Sequence, residues 1–212
     1  MRLILPPQKA LIWTNVEDPI KYYYYPFIGY FYRKRVRTVL SLIKQNKFAS
    51  LLDIGYGCGI LFPTLEQYAK NLHGIETHGK EKEVTETMKR LGVDVSLTPG
   101  NILDMSNIKK KFDAVLLVSV LEHIKELDTA VNEISRVQTK DGMIFVGSPV
   151  KNKITDLVFT LFGFDYEKHH PSSHHAILQA LAKKYEILKV LTFPKNVPLD
   201  YALYFSAVGR KL

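Results

Sequence analysis

The chain reads as a doubly wound α/β fold, with a mostly parallel seven-stranded sheet, an antiparallel edge strand and helices on both faces. Three observations predict it. From residue 50 onward, short apolar runs alternate with helical periodicities, the pattern of parallel strands joined by crossover helices. The first of those runs ends in a glycine cluster, Gly55, Gly57 and Gly59. The last two runs have no clear helix between them, so one of them has to return antiparallel.

The elements follow in order. Ile28, Phe31, Tyr32, Val36, Val39, Leu40 and Ile43 recur at helical spacing with basic residues largely between them, which predicts an amphipathic helix over residues 29–43. Before it, Tyr22-Tyr23-Tyr24-Tyr25-Pro26-Phe27 is too aromatic for a solvated linker and is expected to pack. Residues 51–54 form a buried strand, 60–70 a helix, 71–75 a second strand, and 80–91 a helix with charge pairing of the Glu86 and Arg90 kind. Residues 93–97 are a third strand and the apolar run 112–118 is the central fourth. A helix over 127–137 leads to a fifth strand, 142–147, behind a Lys140-Asp141-Gly142 turn. Residues 174–184 are helical, and 185–193 and 203–210 are the final strands.

With 46% hydrophobic residues in 212, the chain has apolar mass for one well-filled core. The expected organisation is an aromatic and basic helical extension over 1–49, part of the same domain, followed by the main unit over 50–212 with a lid-like insertion at about 150–175. The apolar start is too short for a signal peptide and no run approaches the roughly 18 apolar residues of a membrane span, so a cytoplasmic protein is expected. The one cysteine, Cys58, has no partner for an internal disulfide. The net charge of +8 is uneven: between Asp18 and Asp53 there is no acidic residue, yet Lys21, Arg33, Lys34, Arg35, Arg37, Lys44 and Lys47 fall there. Such a block is either a solvated helix face or a docking surface for phosphates or an anionic membrane.

A parallel strand that feeds a helix through glycines brings bare backbone up to a ligand outside the strand's carboxyl end. The second strand ends at Glu76, which stands 76 − 55 = 21 residues beyond the first glycine. A carboxylate near that spacing accepts hydrogen bonds from ribose hydroxyls. Dinucleotide enzymes share the geometry, but their fingerprint is G-x-G-x-x-G, whereas this chain has G-x-G-x-G with Asp53 two residues ahead.

The run Leu52-Asp53-Ile54-Gly55-Tyr56-Gly57-Cys58-Gly59 resembles motif I of the class I S-adenosylmethionine-dependent methyltransferases, a Rossmann-like family. Glu76 matches the family's acidic residue after the second strand. Gly100-Asn101-Ile102 falls where the family commonly has Gly-Asp. Phe112-Asp113-Ala114-Val115 with Ser119-Val120-Leu121-Glu122-His123-Ile124 resembles the fourth-strand signature of its small-molecule branch, and Gly142-Met143-Ile144-Phe145 its fifth-strand entry.

The resemblance implies S-adenosylmethionine as cofactor. Asp53, Gly55 and Gly57 would hold its methionine portion, with Tyr56 and Gly59 in the same loop. Glu76 would hold the ribose, Asn101 and Ile102 the adenine, and Ser119 and Val120 would pass close to the sulfonium. Asn101 departs from the family's aspartate but keeps a carbonyl oxygen to accept from the adenine amino group.

His123 is the candidate catalytic residue, to orient or deprotonate the acceptor; the alternative is an architectural role. The cluster His169-His170-Pro171-Ser172-Ser173-His174-His175 is interrupted by Pro171 and shows no helical pair beside a third ligand, so it reads as a loop with Ser172 or Ser173 capping the next helix and no metal is expected. Ile154, Leu157, Val158, Leu161 and Phe162 form an apolar stripe at helical spacing; it packs on the domain, or lines a lid, or rests on a membrane. The expected partner is a small-molecule or lipid-like methyl acceptor, with peripheral contact to an anionic membrane. The rival readings are an RNA methyltransferase, less favoured for want of an Asn-Pro-Pro-Tyr or Pro-Cys motif, and a cofactor-binding scaffold without turnover.

Overall fold

The computed structural model describes residues 3–15, 18–43, 47–161 and 170–212. Seven strands form one sheet: β1 Phe48–Ile54, β2 Ala69–Glu76, β3 Val95–Pro99, β4 Phe112–Val118, β5 Gln138–Pro149, β6 Tyr185–Phe193 and β7 Tyr204–Lys211. Their order is β3-β2-β1-β4-β5-β7-β6. The first five pair in parallel, while β7 runs antiparallel to both β5 and β6, which makes the expected antiparallel edge. Chain order reverses between β1 and β4, so their carboxyl ends diverge and open a crevice there.

The described helices are α1 Ile20–Tyr24, α2 Ile28–Ile43, α3 Phe62–Leu65, α4 Glu81–Arg90, α5 Leu127–Arg136, α6 Lys153–Leu161 and α7 His174–Ala182. Helices cover both faces because the central strands are apolar on both. Leu51, Leu116 and Phe145 point into a core shared with α2 and α4, whereas Leu52, Val115, Leu117, Ile144 and Val146 point into one shared with α5 and α7. In α2 the buried residues Val36, Val39, Leu40 and Ile43 make one stripe, laid over β5, β6 and β7. The seat is close: a Cβ on Gly147 would stand 2.3 Å from Val39 Cγ2.

Several elements differ from expectation. The helix predicted over 60–70 is the single turn α3, because Ala69 and the residues after it are drawn into the sheet, where Ala69 pairs with Phe48. Phe48 N–H donates to Tyr68 O at 2.8 Å and so closes the helix off. The predicted turn at Lys140-Asp141-Gly142 is a bulge inside the long strand β5, where the register jumps and Asp141 takes φ 55°. The tyrosine run forms the short helix α1 with Tyr23 buried, but Tyr25 and Phe27 are exposed rather than packed. Arg90 donates to Thr87 Oγ1 at 3.2 Å, and no ion pair joins it to Glu86 among the described residues. The apolar stripe of α6 leaves Ile154 and Leu157 exposed, while Phe162 lies outside the described residues, as does His169. None of the described helices is long and apolar enough to cross a membrane.

Candidate active site

A cleft of about 460 Å³ opens at the carboxyl ends of β1, β2 and β4. Its wall brings together Asp53, Gly55, Tyr56, Gly57, Glu76, Asn101, Ile102, Ser119, Val120 and His123. Of the predicted residues, Gly59 is the exception. A Cβ there would stand 2.8 Å from Phe62 Cδ2, so its bare α-carbon admits a core ring instead of lining the cleft.

The glycine loop is held at both polar atoms of Gly57. Its N–H donates to Glu76 Oε2 at 3.1 Å, and its carbonyl lies 3.0 Å from His78 Nε2. Lys80 N–H donates to His78 Nδ1 at 2.9 Å, so Nε2 carries the ring proton and donates to Gly57 O. Gly57 has φ 54° and open space where a side chain would stand. Gly55, at φ 75°, has none: a Cβ would be 2.5 Å from Val120 Cγ2.

Glu76 also accepts from Thr77 N–H at 2.7 Å on Oε1. The Thr77 hydroxyl donates to the same oxygen at 3.2 Å, so three of a carboxylate's roughly four acceptor sites are used and about one is left for a ribose hydroxyl. Asp53 is buried at the end of β1, and burial together with the nearby Glu76 charge pushes its carboxyl well above the usual carboxylate range. The Tyr56 side chain is buried between Phe62 and His78, and its hydroxyl has no hydrogen-bond partner among the described residues. Asn101 is exposed and its Oδ1 accepts from Leu103 N–H at 2.9 Å, one lone pair of two. Ser119 is held at φ 58°, with N–H to Gly147 O at 2.7 Å and Oγ 3.3 Å from Tyr204 Oη.

The opposite wall comes from the segment before the sheet: Thr14, Asn15, Asp18, Pro19, Ile20 and Tyr23, with Arg35 from α2. Asp18 is buried, accepts from Thr14 Oγ1 at 2.6 Å and from Ile20 N–H at 3.2 Å, and is pushed up chiefly by burial. Lys80 Nζ to Trp13 O at 2.8 Å and Ile4 N–H to Thr64 Oγ1 at 2.9 Å fasten this segment to the sheet. Arg35 is not on the solvated face of α2. Its guanidinium lies 4.0 Å from the Tyr32 ring centroid, and Nε is buried with no hydrogen-bond partner among the described residues.

Residues 52–146 match the family described as a methyltransferase domain. This stretch, a little under half of the chain, is similar to a class I methyltransferase domain. A ubiquinone biosynthesis O-methyltransferase of Pelagibacter ubique is 29% identical over 131 residues, covering 60% of this chain and 53% of that protein. The chain spans about half the length of the curated relatives it matches. Among solved structures, the N-methyltransferase NodS of Bradyrhizobium japonicum in complex with S-adenosyl-L-homocysteine superposes with a TM-score of 0.68 at 18% identity, covering 94% of each chain. The [4+2]-cyclase SpnF superposes with a TM-score of 0.66 at 18% identity, covering 84% of this chain and 80% of that one.

The residues that line the cleft fit S-adenosylmethionine. Buried and half-buried carboxylates suit an ammonium and ribose hydroxyls, the bare Gly57 leaves room, and the Tyr56 hydroxyl awaits a partner. Sequence reasoning missed His78, Asp18 and Arg35. It also treated the histidine cluster as one loop, whereas the structure divides it. Ser172 N–H donates to Glu122 O at 3.2 Å and its hydroxyl to Ile124 O, which sets His170 against His123 with ring centroids 4.8 Å apart. His174 and His175 turn instead to Asp200.

Proposed function

We propose that the protein binds S-adenosylmethionine in this cleft and directs its methyl group to a small-molecule or lipid-like acceptor. The observation that carries the reading is the convergence of Asp53, Gly55, Gly57, Glu76, Asn101, Ile102, Ser119 and Val120 on one cleft. The bound cofactor supplies a methyl carbon already activated by a sulfonium. What remains for the protein is positioning. Asp53 and the Gly55–Gly57 backbone hold the methionine end, Glu76 the ribose, and Asn101 with Ile102 the adenine. Ser119 and Val120, on a backbone fixed by Gly147, face the reacting end. Arg35 and Tyr23 close that end from the opposite side and exclude water. His123 orients an acceptor hydroxyl or takes its proton.

An acceptor like that of the ubiquinone-pathway relative would suit the apolar side chains left exposed at the start of α2, Phe27 and Phe31, and on α6, Ile154 and Leu157. Peripheral contact with an anionic membrane, in a cytoplasmic setting, belongs to the same reading. A second reading, a cofactor-binding scaffold without turnover, keeps the site and drops the transfer; the [4+2]-cyclase SpnF supports it only in that the fold also occurs in a protein named for another reaction.

Calorimetry with S-adenosylmethionine, then transfer of a labelled methyl group to cell extracts, tests both. Binding with label in the organic phase is expected. Label in nucleic acid would make it an RNA enzyme, and binding with no label anywhere would leave the second reading. Gly57→Val and Glu76→Ala are expected to weaken cofactor binding; unchanged affinity in both would overturn the site.

A further inference from the structure

Among the described residues, two groups of metal-ligating side chains lie outside those given to the cofactor. In one, His174 and His175 share Asp200. Lys151 N–H donates to His174 Nδ1 at 3.3 Å, so His174 Nε2 carries its proton and donates to Asp200 Oδ1 at 3.0 Å, with His175 Nε2 on the same oxygen at 2.6 Å. These hydrogen bonds clasp α7 to the turn at Leu199–Tyr201 and satisfy the cluster from within.

In the other group, Glu122, His123 and His170, the carboxylate is the member short of partners. Glu122 is 1% exposed, at the turn after β4; neither oxygen makes a well-formed hydrogen bond among the described residues, the Ser148 hydroxyl and its own N–H reaching it only weakly. A buried carboxylate so weakly served is costly to ionise unless a cation or a metal meets it. His123 follows on the same turn, and His170, 8% exposed, is brought from far along the chain by the two Ser172 hydrogen bonds. One ligand atom from each of the three lies within 4.8 Å of the others.

We propose that Glu122, His123 and His170 bind a divalent first-row transition ion of the zinc class on the wall of the cleft. Two imidazoles and one carboxylate form the donor set that such ions prefer, whereas magnesium and calcium seek oxygen alone. Metal–ligand bonds of about 2.0–2.2 Å need ligand atoms no more than about 4 Å apart, so the cluster must draw in by about 1 Å. His123 is exposed and has room to turn. Three protein ligands leave a position for an exogenous oxygen, and His123 and Ile124 line the cleft, which puts that position beside the reacting end. There the ion, with His123 as its ligand and no longer the proton acceptor, would hold an acceptor hydroxyl and ease its deprotonation. That role rests on the methyl-transfer reading; ion binding does not.

The test uses the metal-stripped full chain, titrated with Zn²⁺ in calorimetry and with Co²⁺ in visible absorption. S-adenosylmethionine affinity is measured in parallel on every variant. The wild type is expected to take up one equivalent and to show cobalt ligand-field bands. Affinity is expected to fall at least tenfold in Glu122→Gln and His170→Ala and to hold in His175→Ala. If Glu122→Gln does not fold, His123→Ala and His170→Ala carry the test. No stoichiometric uptake by the wild type, unchanged affinity in the ligand variants, or loss in His175→Ala instead would overturn the site. Metal uptake without S-adenosylmethionine binding would sink the methyl-transfer reading and leave this one standing.

Discussion

A methyl group added to Gly55 would stand 2.5 Å from Val120 Cγ2, on backbone already at φ 75°. Overpacking of this kind costs about 1–3 kcal/mol, and here either the loop or Val120 must move, both of them cleft wall. Gly55→Ala is therefore expected to lose about tenfold or more in S-adenosylmethionine affinity, and Gly55→Ala/Val120→Ala to recover part of it. Simple addition of the two single losses would show that the contact plays no part. Asp53 argues a different case. Its carboxyl is raised by burial and by Glu76, so it stays protonated between the ordinary carboxylate value and its own. That proton stabilises the fold below the unfolded value, and the contribution is lost as pH rises through the folded one. A cationic ligand favours the carboxylate and must displace the proton. Affinity is therefore expected to fall on acidification towards the ordinary carboxylate range, at up to about tenfold per unit, and Asp53→Asn to flatten the slope. Calorimetry across that range reads both.

Helix α7 begins at Ser173, whose Oγ accepts from Ala176 N–H at 3.2 Å. Ser173→Ala is expected to cost about 1 kcal/mol, or a few degrees in thermal midpoint, about 2–4 °C for a domain of this size. The cap was legible in the sequence because capping is local, and so were strands whose apolar runs are long: β4 and β6 begin and end where the pattern does. What the sequence hid depends on distant partners. Residues 66–70 look helical on their own, but β1 recruits the last of them into the sheet. The turn at Asp141 was real as local chemistry, yet the pairing of β5 with β4 resumes beyond it and makes it a bulge. Arg35 carried a signal that was passed over: it lies three residues after Tyr32 and four before Val39, on the helix face that packs. No local pattern marks His170 as a neighbour of Glu122, because 47 residues and a loop stand between them, 170 − 123 = 47 for the two histidines themselves.

On the whole molecule, the cofactor side was readable because β-strand ends, glycines and acidic residues come in chain order along one sheet edge. The acceptor side as we propose it was not, since it would draw on the first forty residues, which supply the opposite cleft wall, and on the segment after β5. These two regions also carry the exposed Phe27, Phe31, Ile154 and Leu157, and the basic residues of α2. Retention on vesicles containing anionic lipid is expected at low ionic strength, with release by salt and little retention on neutral vesicles. Phe27→Ser with Leu157→Ser should weaken it several-fold. Co-sedimentation that finds no retention at low salt would remove the membrane from the account.

Cys58 gives the segment from Thr14 to Tyr23 a further meaning. It is the chain's one cysteine, buried in the glycine loop beneath that segment, with burial and the Asp18 carboxylate beside it pushing its thiol up. A thiol that is both covered and protonated reacts only when its cover lifts. The rate at which a thiol reagent reaches Cys58 is thus expected to report any lifting of that segment, and to fall when a cofactor is bound.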